Sequence, residues 1–546
     1  MNRQSIQACF IVLAFALSAL AGAHEGDDED GASLPPLILG VLDFPNSGSD
    51  EAQDAFERGV MLLHSFEFDD SRTAFLEAQE IDPGFAMAIW GEAMTLNHPL
   101  WDQQNHEEAL RVLAKLPPRG ASDITAREQR FVDAVLVLYG EGSKPQRDLA
   151  YMDAMREIYI DYPDDLEAAS FYGLSVLGSV YERDFRTYMK AAAILEEVFA
   201  KQPKHPGAAH YLIHSYDDQV HAPLGLRAAR VYNEIAPAAS HAQHMVSHIY
   251  TSLGQWDKVV TANENAVRVS EESMIRAGKP VANRSKHALH WLQYALLQQG
   301  RLADARDTMV IMRDDLAAVT NLNQQQHSVY MRASYIAEDP AGEQVLVPVE
   351  SAEFPLDDLA IDVFASGYRY VAMGDLESAQ SELESLRKAI SEARVLTVEE
   401  GLHEDDSATS EDGYNIATIL ADELQALLLF HAGDIDDALR LLGDAAMREN
   451  ARPLEYGPPY IPKPCSELLG EMLLTLDRPD EAMPHFQQAL YRNTSRTFSL
   501  MGLARTQEAV GDPVAAETWQ RVRANWQGDP KDLAQLQYEW LASAEG

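Results

Sequence analysis

Seven histidines of this chain fall into one repeating phase. His210 and His214 are four residues apart, as are His244 and His248, and the second pair follows the first by 34 residues. His287 and His290 repeat the three-residue spacing of His241 and His244. Residues three or four apart on a helix share one face, with side chains about 6 Å apart. Neighbouring helices pack about 10 Å apart. Two histidine pairs on adjacent helices can therefore converge on one ion, at N–metal distances of about 2 Å. Imidazole-rich ligation suits zinc, copper(II), nickel or iron(II). The expected ligands are His210, His214, His244 and His248, with His290 and Asp217 in reserve. Asp217 or Asp218 would act as an oxygen ligand, or as the acceptor that orients a ligating imidazole. His241 and His287 belong to the same wall, while His205 and His221 lie near helix ends and are weaker ligand candidates. The competing reading is a polar groove that takes a peptide, or a small anion, through imidazole donors.

Other chemistry is thinner. HYLIH and HMVSH lack the glutamate of the HExxH zinc-protease signature. The chain has no Gly-rich phosphate loop, dinucleotide fingerprint or serine-nucleophile elbow. Glu467 and Glu471, four apart in PCSELLGEMLL, either face a cation in the groove or form an exposed acidic face. If an open coordination position activates water or oxygen, then Tyr250, Tyr294 and Glu471 are the groups to test. His64 and His98 would extend the histidine column toward the N-terminus, or simply pack among aromatics. A metal-free interaction scaffold is the third functional reading.

The elements that must position these histidines are also repetitive. A period of 34 residues is that of the tetratricopeptide repeat, a helix–turn–helix unit. Gly59, Phe68, Phe75, Ala78 and Pro83 stand at its signature spacings, small residues marking where two helices touch. Gly254, Trp256, Ala262 and Ala266 repeat the pattern, as do Gly300, Leu302 and Ala305, and then Gly374, Leu376 and Ala379. Gly433, Ile435, Ala438 and Ala445 carry it again, and Glu481, Ala482, Phe486 and Ala489 carry it near the end. The expectation is an all-α protein, a TPR-type α-solenoid in which helix–turn–helix repeats wind into a right-handed superhelix. In such a repeat the first helix lines the concave face. Places two, five, nine, twelve and thirteen of each unit point into the groove. His241, His244 and His248 take places two, five and nine of their unit. His210 and His214 take five and nine of theirs, with Asp217 and Asp218 at twelve and thirteen. His287 and His290 take two and five of the next, with Tyr294 at nine.

The chain then divides into an N-terminal array over 51–340, an irregular loop at 341–360 and a C-terminal array over 361–540. The second array carries an acidic insertion at 397–413 and a stiff segment at 452–464 with five prolines. Residues 24–50 begin HEGDDED and read as an acidic flexible leader. Residues 1–23 read as a secretory signal, with Arg3 at the start, an apolar run from Cys9 to Leu20 and a small-residue cleavage site ending at Ala23. This points to a periplasmic or secreted protein whose mature chain starts at His24, a further candidate copper chelator. No apolar run is long enough to span a membrane. Cys465 is then the single cysteine of the mature chain, so no internal disulfide is possible. A net charge of −43 disfavours nucleic acid and anionic membranes and favours cations or cationic partners.

The chain resembles a group of exported bacterial tetratricopeptide proteins of unassigned function. The resemblance rests on FERGVMLLHSFEFDDSRTAF, IWGEAMTLNHPLW, AAHYLIHSYDDQVHAPLGLRAA, HAQHMVSHIYTSLGQWD and EYGPPYIPKPCSELLGEMLL, spread over most of residues 55–475. In that group the third block often has proline before the serine, where Val246 stands here. The resemblance implies the fold and export, and no reaction. The first reading is therefore a periplasmic solenoid that binds a protein, a peptide or a small cationic ligand in a groove carrying a transition-metal site. The second is a metalloenzyme built on that site.

Overall fold

The computed structural model describes residues 37–119, 124–180, 184–319, 321–345, 354–400, 410–529 and 541. Residues 1–23, read above as a secretory signal, and His24 lie outside the described residues, as do residues 346–353 of the expected loop and 401–409 of the acidic insertion. From Ile38 onward the chain is one compact unit. It is all-α, a TPR-type α-solenoid in which consecutive helices pack as antiparallel hairpins. Its only strands among the described residues are the two-residue pair Asn97–His98 and Gln103–Gln104.

The hairpins close because small residues sit where helices cross. Phe75, on helix Phe68–Ile81, wedges between Gly59 and Gly91, and a Cβ on either glycine would lie within 2.8 Å of its ring. Phe486, on helix Pro479–Arg492, fills the same role between Gly470 and Gly502. The turns between paired helices need a left-handed residue. Gly254 supplies it at φ +64°, between helix Ser240–Ser252 and helix Trp256–Arg276.

The buried apolar residues form one cluster reaching from Leu39 to Val345, a second from Val329 to Leu541 and a small third of Phe498, Leu500, Met501 and Val522. Helix Leu322–Glu338 contributes to the first two. The flexible-leader reading does not hold for residues 38–50. Leu39 and Phe44 are buried in the first cluster, and the Phe44 ring lies 5.3 to 5.7 Å from the rings of Phe56, Trp90 and Phe131. Ser47 donates from both N and Oγ to Glu128, at 2.7 and 2.9 Å. Two apolar anchors and a hydrogen-bonded turn hold a segment that composition alone marks as loose.

The C-terminal repeats also pack back against the middle of the chain. Thr497 donates its N–H to Gln298 Oε1 and its hydroxyl to the Gln298 carbonyl, at 2.9 and 2.6 Å. Gly254 has a second function here, because a Cβ on it would stand 2.1 Å from Ser495 Cβ. The proline-rich segment 452–464 is extended and crosses the histidine wall, pinned by Gln219, which donates to the carbonyls of Glu455 and Arg492. Gly457, at φ +97°, lets that segment lie on Trp291.

Candidate metal centre

Four first helices carry the histidines. Pro206–Ser215 bears His210 and His214; Ser240–Ser252 bears His241, His244 and His248. Lys286–Gln298 bears His287 and His290, and Leu322–Glu338 bears His327. The helix starts are fixed locally. Pro206 stands at a first-turn position with His205 as the cap, its Nδ1 accepting from Ala208 N at 3.1 Å. Ser285 caps the third helix by accepting from Ala288 N.

The side chains meet in two trios, His210 with His214 and His241, and His244 with His248 and His287. Within each trio, one nitrogen per ring lies within 4.8 Å of the other two. The expected convergence of His210, His214, His244 and His248 on one ion is therefore corrected. Equivalent residues of successive repeats do approach, His214 and His248 at 6.1 Å and His287 and His327 at 5.4 Å between ring centres, but the ligating nitrogens group otherwise. Place five of one helix faces place two of the next: His210 meets His241, and His244 meets His287, with ring centres 4.9 and 4.5 Å apart. Each trio is thus places five and nine of one repeat plus place two of the following one. His290 and His327 continue the same ladder at 5.8 Å, but Tyr294 stands where a place-nine histidine would complete a third trio. The sequence reading missed His327. The signal was a place-two histidine one further repeat along.

Second partners fix which nitrogen carries a proton. His248 Nδ1 lies 2.6 Å from Asp217 Oδ2. His244 Nδ1 lies 2.7 Å from Asn263 Oδ1, and Asn263 spends its amide on the Val259 carbonyl. His210 Nδ1 lies 2.6 Å from the His64 carbonyl. A carboxylate, an amide oxygen and a carbonyl can only accept, so each Nδ1 donates. The Nε2 of each neutral ring is then a bare lone pair. Two such lone pairs, on His244 and His248, face each other at 3.0 Å. A proton lies between them only where one of the rings is an imidazolium; burial, with the neighbouring imidazoles, holds His244 well below the ordinary histidine range. Two nitrogens each about 2 Å from one ion stand about 2.9–3.4 Å apart at bond angles of about 90–110°. The observed spacing fits a cation shared by both rings.

An aromatic shell holds the rings in place. Trp291 lies 4.2 Å from the His248 ring and edge-on to His244 at 4.9 Å. Phe66 sits edge-on to His210 at 4.4 Å, and Tyr232 stacks on its other side at 5.3 Å. Between the trios opens a cavity of about 60 Å3, lined by His214, His241, His248, His287, Asp217 and Tyr456 among others. Tyr456 comes from the proline-rich segment. Asp217 Oδ1 is buried with no hydrogen-bond partner.

The remaining expected residues lie elsewhere. Asp218 turns away to His221 Nδ1, at 2.8 Å, and to the backbone N–H groups of Val220 and His221. His290 is buried outside both trios, with Nε2 unpartnered. Tyr250 donates to the Ala229 carbonyl at 3.2 Å, and Tyr294 accepts from Arg496 at 3.3 Å, so neither hydroxyl serves the cavity. Glu467 and Glu471 are neither exposed nor near the histidines. Both are fully buried on Lys463, at 2.9 and 2.6 Å, and Glu467 also receives Arg496 in a two-pronged pair. Buried carboxylates of this kind need a cation of their own, and the protein supplies it. Cys465 is buried, and burial pushes its thiol well above the ordinary range. His98 stacks on Phe68 at 3.9 Å.

His64 joins a third cluster. Its Nε2 meets Glu167 Oε2 at 2.8 Å, its Nδ1 meets the Tyr211 hydroxyl at 2.9 Å, and Glu167 Oε1 takes His205 Nε2 at 3.1 Å. Burial opposes the charge on Glu167, but His205 and His64 together hold its carboxyl well below the carboxylate range.

No protein-family model matches the chain, and no curated protein does. Among solved structures it is similar to a human IFIT1 dimer with m7Gppp-AAAA, at 15% identity over 87% of this chain and 99% of that one, TM-score 0.31. It is also similar to yeast Tom70, at 12% identity over 90% and 88% of the two chains, TM-score 0.27. Among the described residues no helix is long and apolar enough to cross a membrane.

Proposed function

We propose that this protein is a helical-repeat scaffold that binds a transition-metal ion through His244, His248 and His287, and presents it to the cavity beneath the proline-rich segment. The observation that carries the reading is that the Nε2 atoms of His244 and His248 face each other across 3.0 Å while each Nδ1 is spent on an oxygen. A ligating imidazole whose other nitrogen donates to a carboxylate or amide oxygen is the usual build of a metal site. Here Asp217 and Asn263 supply those oxygens. Three protein nitrogens plus an open position is the pattern of sites that bind or activate a further ligand, whereas four closed ligands mark structural ions. The all-imidazole set suits copper, zinc, nickel or iron(II). Export to the periplasm, on the signal sequence at 1–23, belongs to the same reading, as does a protein, peptide or small cationic partner in the groove.

The test is elemental analysis of the full chain, purified without a histidine tag, beside the double variant His244→Ala/His248→Ala. The expected result is bound transition metal that falls in the variant. Equal metal content in both, or none in either after reconstitution, overturns the reading and leaves a metal-free scaffold.

A further inference from the structure

The trio of His210, His214 and His241 is not accounted for by one ion in the other trio. We propose that the histidine wall holds two transition-metal ions side by side, one in each trio, with a small oxygen-donor ligand shared between them in the cavity. This rests on the metal reading of the His244 trio and extends it.

Three observations carry the inference. First, the two trios are built alike. Each takes places five and nine of one helix and place two of the next, so whatever one holds, the other has the same means to hold. His210 Nε2, a lone pair by the argument above, lies 3.1 Å from both His214 Nε2 and His241 Nε2. A single lone pair accepts one strong hydrogen bond, whereas an ion at the centre satisfies all three rings.

Second, the trios abut. Ring centres within a trio are 4.5 to 6.5 Å apart. Across the boundary His214 to His248 is 6.1 Å and His241 to His244 is 6.2 Å. Helix Ser240–Ser252 serves both, giving His241 to one and His244 and His248 to the other.

Third, the cavity belongs to both trios. Two of its lining histidines, His214 and His241, come from the first trio, and two, His248 and His287, from the second. An ion with three imidazoles has a fourth position to fill, and in both trios the cavity adjoins the ligands. Its volume of about 60 Å3 is ample for water, hydroxide or a diatomic oxygen species. Two dications about 3.5–4 Å apart, as in two-metal sites, repel unless an anion lies between them. The buried, unpartnered Asp217 Oδ1 is an acceptor for the proton of such a bridging hydroxide or water.

The experiment titrates the metal-stripped, untagged full chain with copper(II). Bound copper is counted after gel filtration, and unpaired spins are counted by electron paramagnetic resonance. The expected result is two copper ions per chain, with fewer visible spins than ions because a shared ligand couples them. His241→Ala and His287→Ala, both half-buried positions, each reduce binding to one ion and restore a full spin count. His214→Ala is the second probe of the first trio, and a melting curve confirms that each variant is folded. One ion in the parent, unaffected by His241→Ala but lost with His244→Ala/His248→Ala, overturns the pair and leaves the single-site reading standing. Two ions with every spin visible overturn the shared ligand. No copper in any form overturns both readings.

Discussion

The His64–Glu167–His205 cluster and the neighbouring trios use the same side chains to opposite ends. The two regions touch, since the His64 carbonyl takes the proton of His210 Nδ1. In the first, the carboxylate is inside: Glu167 lies between two imidazoles, and every ring nitrogen has a partner, Tyr211 and the Ala208 N–H completing the set. In the second, the oxygens are outside. Asp217, Asn263 and the His64 carbonyl sit behind the rings and draw the protons away from the centre. A carboxylate in the middle closes a histidine cluster; oxygens at the back open it, leaving lone pairs turned toward the centre.

This contrast can be broken by mutation. Glu167→Ala removes the centre of a closed, buried network and is expected to cost about 3–5 kcal/mol of stability. Chemical denaturation reads that loss, while metal bound per folded molecule stays unchanged. Metal loss in this variant would erase the distinction between the two regions. The trios should behave the other way. Metal at about one hundred times its Kd is expected to stabilise the parent by about 2.7 kcal/mol, and a chelator should reverse the gain. His244→Ala/His248→Ala should lose that response from the second trio. Asp217→Asn keeps the shape but weakens the oxygen behind His248, and is expected to lower metal affinity about 10–100-fold. Calorimetric titration reads this directly, and an unchanged Kd would leave Asp217 a packing residue.

The remaining test is in pH. In metal-free protein, burial and then the neighbouring imidazoles hold His244 and His287 well below the ordinary value of 6.5. Their contribution to stability is complete above pH 6.5 and is lost as the pH falls toward the folded values. Glu449, far along the chain, has the opposite sign. Burial pushes it from 4.5 up to about 7, against the pull of Arg492. Its contribution is complete below pH 4.5 and is lost as the pH rises through about 7. Amide hydrogen exchange should therefore show helix Ser240–Ser252 loosening on acidification and helix Ile435–Ala451 loosening as the pH rises. Each unit of pKa difference is worth about 1.4 kcal/mol.

The helical repeat was legible because its signals are local. Glycine at the turn, a large aromatic between two glycines and a fixed period follow from the packing of one hairpin. The histidine wall was legible for the same reason, since places two, five and nine of a repeat share a face whatever surrounds them. The pairing across repeats was not. The relation of place five to place two depends on how successive hairpins stagger, and no residue within one hairpin encodes it. That is why His241 and His287, read as companions, prove to be members of the trios, while His290 does not. Glu467 and Glu471 were misplaced because their cations, Lys463 and Arg496, come from an extended segment and from another repeat. Acidic spacing alone does not separate a solvated face from a buried ion pair. Leu39 and Phe44 were overlooked because charge dominates the composition of the segment before them.

The central claim is that lone pairs, not shared protons, occupy the middle of the trio formed by His244, His248 and His287. Crystals of the full chain soaked in zinc or copper, with diffraction recorded at the absorption edge of the metal, test it most directly. The account predicts an anomalous peak about 2 Å from the ligating nitrogens of all three rings. A trio with no anomalous peak, its rings turned so that one Nε2 donates to the next, would contradict it.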